Sequence, residues 1–284
     1  MTGIVFEVDP SLSTSDDLKF NPSAYAAAKK TWDETLSGPL SQLTPGFTYL
    51  SLTQFASPDA ISPISSKSST LSNLPDPLQN AIQTRRFSKD QPCGQIEFIF
   101  DLGSWSPFFK ATEPGRKYAS MIQILQYPFS RGSIHIASRD ASEQPVIDPA
   151  YYQGAHGEID LDVMTVCADF AQRIPLAEPL SGIIVRQVHP PPEVTRDEER
   201  RREWVVDETI TDWHPVGTCA MVGGGKDGEE RGGVVDERLR VYGVRGLRVA
   251  DASIMPLQLS THLQATCYAI GEKAADMILE DLEV

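Results

Sequence analysis

Long apolar runs, clustered cysteines and an excess of positive charge are all missing from this sequence of 284 residues. No stretch approaches the roughly 18 consecutive apolar residues that a membrane-spanning helix requires, so no transmembrane segment is expected. The four cysteines, Cys93, Cys167, Cys219 and Cys267, stand far apart. Neither a CxxC pair nor a metal-ligand spacing links them, which predicts small buried thiols rather than disulfides, and no metal site. Asn-x-Ser/Thr with a permitted middle residue does not occur. The N-terminus, Met1 to Asp9, has neither the basic flank nor the apolar length of a signal peptide and reads as a strand entered from the middle of a domain. The net charge of −14 argues against nucleic acid or an anionic membrane as the main partner, because both repel an acidic surface. Arg200-Arg201-Arg202 is flanked by Glu198, Glu199 and Glu203 and reads as a solvated helix face.

What is present is an ordinary soluble composition, 40% apolar, in a chain long enough for one large core or two smaller ones. To about residue 90 the pattern is helical and loop-rich. Asn21-Pro22-Ser23 opens a helix through Trp32 with a polar cap, and Ser37-Gly38-Pro39 breaks it. Ser57 to Ser72, rich in serine and proline, reads as a surface loop. Strands follow: Gln95 to Asp101 alternates with period two, and Ser120–Tyr127 and Gly132–Ser138 read as antiparallel neighbours joined by a short connection. Ile159 to Ile174 has helical periodicity, Ile183 to His189 is a strand, and Thr195 is placed to cap a charged helix running towards Ile210. Short strands at Val234–Asp236 and Leu247–Ala250 precede a last helix from about Gln264 to Leu282. Its stripe of Ile270, Ala274, Met277 and Ile278 needs a packing partner.

Gly223-Gly224-Gly225-Lys226-Asp227-Gly228 satisfies GxGxxG literally. The pattern works only between a strand and a helix, where glycines let the backbone approach a pyrophosphate. The acidic Glu229-Glu230-Arg231-Gly232-Gly233 that follows predicts a surface loop instead, so the chain carries no recognisable dinucleotide fingerprint. No GxSxG elbow marks a hydrolytic serine.

Among the five histidines, His135, His156 and His189 sit in plain structural settings. His214 and His262 do not. His214 precedes Pro215, which takes its backbone out of the preceding helix, and Gly217 and Thr218 allow another group to come close. His262 lies just before the last helix, whose unpaired N–H groups and dipole favour negative charge.

The segment His214-Pro215-Val216-Gly217-Thr218-Cys219-Ala220-Met221 resembles the H-P-x-G-T-x-x-M stretch of the glucose–methanol–choline (GMC) family of FAD-dependent oxidoreductases, and a His rather than an Asn at position 262 makes the chain closest in style to the family's fungal aryl-alcohol-oxidase-like branch. His262 occupies the place of that family's second His or Asn. Gly233–Asp236, Leu239–Val244 and Leu247–Pro256 resemble the intervening block, and Tyr268–Ile278 the closing helix. Pro128-Phe129-Ser130-Arg131-Gly132 followed by Pro145–Pro149 is similar to the substrate-domain signature. The resemblance is strong after residue 120 and weak before 50.

The resemblance implies an α+β fold: a mainly antiparallel sheet flanked by helices over residues 1–212, and a catalytic, flavin-contacting segment over 213–284 belonging to an incomplete FAD-binding domain. It implies FAD as cofactor and a small-molecule alcohol as substrate, oxidised to a carbonyl compound. His214 would be the general base, and His262 would bind and orient the substrate oxygen. Trp213 would lie near the isoalloxazine, Asp251 and Ala252 near the ribityl–pyrophosphate region, and Leu263, Gln264 and Ala265 at the pyrimidine edge. Read without the family, Asp251 is a turn or cap residue. The Gly-rich turn of the family's Rossmann-type unit has no counterpart here. The expectation is therefore a fragment that acts with a separate N-terminal FAD-binding half and leaves apolar surface exposed. The alternative is an inactive remnant or interaction subunit that keeps the fold without binding flavin.

Overall fold

Seven consecutive residues from Thr2 to Val8 form strand β1, and all seven are buried. A strand with no exposed face must lie inside a sheet covered on both sides, and β1 does. In a computed structural model, which describes residues 1–41, 46–71, 85–90, 92–110 and 115–282, it pairs antiparallel with β4 (Lys117–Leu125) on one side and β7 (Ile184–His189) on the other. With β2 (Gly46–Leu50) and β3 (Ile96–Asp101) these strands make a five-stranded antiparallel sheet in the order β2-β3-β4-β1-β7. The fold is α+β, as expected.

Register decides what each face buries. Ile4 stands opposite Met121, Phe6 opposite Ala119, and Phe98 opposite Gln123, so these side chains share one face. Helix α5 (Gly154–Ala171) covers that face, and Ile159, Val163, Met164, Cys167 and Ala168 of α5 are fully buried or nearly so. Phe170 of α5 stacks on Phe55 at 4.6 Å and meets Phe98 edge-on at 5.3 Å. The other face gathers Ile99, Ile122 and Ile124 with Met1 and Trp105. Within β1, Glu7 is held by Arg186 at 2.8 Å and by Arg116.

Around this core, α1 (Asp16–Phe20) is followed by α2 (Pro22–Thr35), whose cap Asn21 accepts from the N–H groups of Ser23 and Ala24. Short α3 (Leu52–Phe55) and α4 (Pro58–Thr70) come next. The serine-rich segment expected to be a loop is thus a helix. Pro58 sits in the first turn, the Ser57 side chain accepts from the Ala60 N–H, and Ile64 and Ser68, four residues apart, are buried on one side. Capping and tertiary burial outweigh poor propensity there. Thr195 is not a cap either. It lies inside α6 (Pro192–Arg196), and Asp197 caps α7 (Glu198–Asp207) by accepting from the Arg200 N–H.

Two compact units emerge, residues 1–125 with 154–210, and residues 126–153 with 211–284. The division expected at 212/213 therefore omits one piece: residues 126–153 group with the C-terminal segment. Within that unit β5 (Ser133–His135) pairs with β6 (Val146–Asp148), not with the expected 120–127 strand, whose residues 120–125 pair inside the larger sheet. Gly132 makes the hairpin possible, because a Cβ there would lie 2.2 Å from the Asp148 carbonyl oxygen.

The 223–233 stretch, expected as a loop throughout, contains the single-turn helix α8 (Lys226–Glu230). Gly228 is buried against the Val222 carbonyl and the Tyr242 hydroxyl, so its missing side chain serves packing. The last helix, α9 (Gln264–Leu282), matches its expected span. Ile270, Ala274 and Met277 pack on Val235, Leu239 and Ile254. Tyr268, Ile278, Leu279 and Leu282 on the remaining surface are exposed. The segments 234–236 and 247–250 make isolated bridges rather than strands.

Candidate active site

Trp213 is the local key. Its φ of 55° lies in the left-handed region, which an L-residue with a Cβ enters at a cost of roughly 1–2 kcal/mol. Helix α7 has already ended at Asp207, so His214 leaves an irregular segment rather than a helix, contrary to expectation. The reversal at Trp213 turns the His214 ring back on its own chain. His214 Nδ1 lies 3.0 Å from the Asp212 carboxylate and also meets the Asp212 carbonyl oxygen. Both are acceptors, an arrangement that suits a proton on Nδ1 and a lone pair on Nε2.

Gly217, with φ 86°, lets the next turn settle on the 252–256 segment. A Cβ there would make only ordinary contact, 3.5 Å from the Met255 carbonyl oxygen, so it is the left-handed φ that favours glycine. Cys219 N–H donates to the Ser253 carbonyl and Met221 N–H to that of Ile254. These bonds tie the His214 segment to the block ahead of α9.

On the loop into α9, His262 brings Nδ1 to 3.2 Å from His214 Nε2, with ring centroids 5.0 Å apart and an interplanar angle of 57°. Two histidines 48 positions apart are thus joined in one chain, Asp212–His214–His262. All three residues are half-buried. Burial pushes the Asp212 carboxyl above the ordinary aspartate range, against the pull of His214 and then His262. One donor atom from each of the three could be gathered around a cation, as they lie within 4.8 Å of one another. The hydrogen bonds already present account for the arrangement without one.

The other expected site residues are placed individually. Trp213 is 68% exposed, offering an aromatic face beside His214. Gln264 and Ala265 are exposed in the first turn of α9, while Leu263 is buried and its carbonyl accepts from the Cys267 N–H. The N–H groups of such a first turn have no partner within the helix and suit an anionic edge. Asp251 caps the turn Ala252–Ile254, accepting from both the N–H and the hydroxyl of Ser253. Its carboxylate therefore has the turn-capping work considered above. Asp212 was missed. The signal for it was available in Asp212-Trp213-His214, an Asp-x-His spacing that matters only when the middle residue reverses the chain.

The structure thus places a histidine pair backed by a carboxylate at the start of α9. The family model of the GMC oxidoreductases matches residues 128–271, just over half of the sequence, and the chain belongs to that family, whose members are FAD flavoproteins. It is 39% identical over 163 residues to the dehydrogenase citC of Monascus ruber, covering 57% of this chain and 24% of that protein. To the GMC oxidoreductase family protein Mala s 12 of Malassezia sympodialis it is 38% identical over 160 residues, 56% and 24% of the two chains. The chain thus spans about a quarter of the length of the curated relatives it matches. Its fold is that of a formate oxidase of Aspergillus oryzae RIB40 (TM-score 0.78, 22% identity, 99% of this chain and 46% of that one). It is also that of a fungal aryl-alcohol oxidase (TM-score 0.68, 24% identity, 100% and 48%).

Proposed function

We propose that this chain forms the catalytic C-terminal part of an FAD-dependent oxidoreductase acting on CH–OH donors, working with a nucleotide-binding part such as its longer relatives' remaining length would supply. The single observation that carries the reading is the His214–His262 contact at 3.2 Å beside the N-terminus of α9. The residues present fit the cofactor: an exposed indole adjoins His214 in the sequence, and exposed Gln264 and Ala265, with the first N–H groups of α9, follow His262. When bound, FAD would supply a two-electron acceptor for the hydride leaving the carbinol carbon.

The chain's own work is acid–base and positional. The substrate hydroxyl replaces His262 Nδ1–H as the partner of the His214 Nε2 lone pair, which then takes its proton. His262 hydrogen-bonds the substrate oxygen and orients it. An imidazole suits the first role because its unperturbed pKa of roughly 6.5 lies near working pH. The N-terminal turn of α9 stabilises negative charge on the ligand edge it faces. Trp213, Asp251, Ala252, Leu263, Gln264 and Ala265 are assigned to cofactor contact on the same reading, Leu263 through its backbone.

The test is anaerobic mixing of FAD-loaded protein with aryl, aliphatic and sugar alcohols, and with formate, following loss of oxidised-flavin absorbance. Bleaching by an alcohol, slowed about 10²–10⁴-fold in His214→Ala, is expected. Bleaching by formate alone, or an unslowed His214→Ala variant, would overturn the assignment.

A further inference from the structure

From the contact between the Asp212 carboxylate and His214 Nδ1, the geometry points to Asp212 as a positioning residue, one that fixes the His214 proton on Nδ1, presents Nε2 as the base, and stabilises the imidazolium once Nε2 is protonated. The inference deepens the reading of His214 given above and rests on it for its functional meaning.

Three observations carry it. The carboxylate oxygen is 3.0 Å from Nδ1, with both side chains only 21% exposed, so the contact is largely shielded from water. Trp213, between the two residues, holds the left-handed conformation that bends the chain for this contact, a strained state that persists only where the surroundings impose it. The far nitrogen of the same ring is already engaged by His262 at 3.2 Å, so the ring is gripped from both ends and cannot flip without losing both partners. Among the described residues, the titratable groups paired with His214 are Asp212 on its own segment and His262 on the loop before α9. The Asp212 carbonyl also accepts from Nδ1, but it is neutral. A carboxylate accepts roughly twice as strongly, and it alone adds a full opposing charge when the ring becomes a cation. The proton balance is simple: the alcohol O–H bond breaks, N–H forms at Nε2, and the positive charge left on the ring lies between Asp212 and the substrate.

The experiment uses the full chain with ¹⁵N-labelled histidine and needs no flavin. Long-range ¹H–¹⁵N spectra report which ring nitrogen is protonated and the ratio of charged to neutral His214 at a fixed pH. In the native chain the neutral form is expected to show its proton on Nδ1. Asp212→Asn keeps size and an acceptor but loses the charge. It should lower the charged-to-neutral ratio of His214 about tenfold, the least expected from removing an opposite charge at this range, and Asp212→Glu should restore most of it. A purely structural role would alter stability and leave the ratio alone. A ratio within twofold of the native chain in a folded Asp212→Asn, or a neutral ring protonated on Nε2 in the native chain, would overturn the proposal. Should His214→Ala bleach flavin at full rate while Asp212→Asn still shifts the ratio, the functional reading fails and the Asp212–His214 assignment stands.

Discussion

Trp213 offers an unusual inversion of a common rule. In most positions glycine is less favourable than alanine by roughly 0.5–1 kcal/mol, because the unfolded glycine chain has more freedom to lose. At φ 55° the folded state reverses this preference, since a Cβ costs roughly 1–2 kcal/mol there. The indole is 68% exposed, so truncating it removes little buried surface, and it does so equally in both variants. Trp213→Gly should therefore be more stable than Trp213→Ala by about 1 kcal/mol, the strain less the entropy. Urea unfolding with a common m-value would show the difference as a shift in midpoint, and thermal unfolding as about 2–4 °C. Alanine equal to or more stable than glycine would mean that Trp213 is not held in the left-handed region. The bend that brings His214 onto Asp212 would then lose its structural basis.

Three further outcomes follow from the geometry. Burial alone would raise the Glu7 carboxyl, but Arg116 and Arg186 outweigh it and hold it below the usual range; the stability it contributes is complete above its unfolded pKa of roughly 4.3 and is lost as pH falls through the lower folded value. Glu7→Gln should thus flatten the acid arm of a stability–pH curve, and an unchanged arm would count against the pair. Gly132→Ala should cost about 2 kcal/mol or more and deprotect the β5–β6 amides in hydrogen exchange, because its Cβ would meet backbone at 2.2 Å; native protection would refute this. Burial pushes the Cys167 thiol far up, so it should stay unlabelled by a thiol reagent until urea unfolds the chain, and labelling at the rate of partly exposed Cys219 would contradict its place in the core.

Legibility in the sequence followed how local each determinant is. The strands at 96–101 and 184–189, helix α2 with its Asn21 cap and helix α9 declare themselves through periodicity and capping. The serine-rich α4 does not, because its burial against the rest of its unit is not encoded locally. Ser120–Tyr127 and Gly132–Ser138 were legible as extended chain, but pairing is a long-range property, and each found other partners. At the site, the His214 and His262 segments could be read from their motifs. The 3.2 Å contact between them could not, nor could the part of Asp212, which depends on the sign of φ at Trp213. Asp251 shows the reverse case, a residue whose local turn chemistry was readable as a cap and is one.

The central claim is that the histidine pair and the start of α9 face a flavin. Its most direct test is an amide and indole shift map of the full chain titrated with FAD. Shifts are expected to concentrate at Trp213–His214, Asp251–Ala252 and His262–Ala265 and to be abolished when His214 and Gln264 are replaced together. Shifts clustered on the five-stranded sheet, or none anywhere at millimolar FAD, would contradict it.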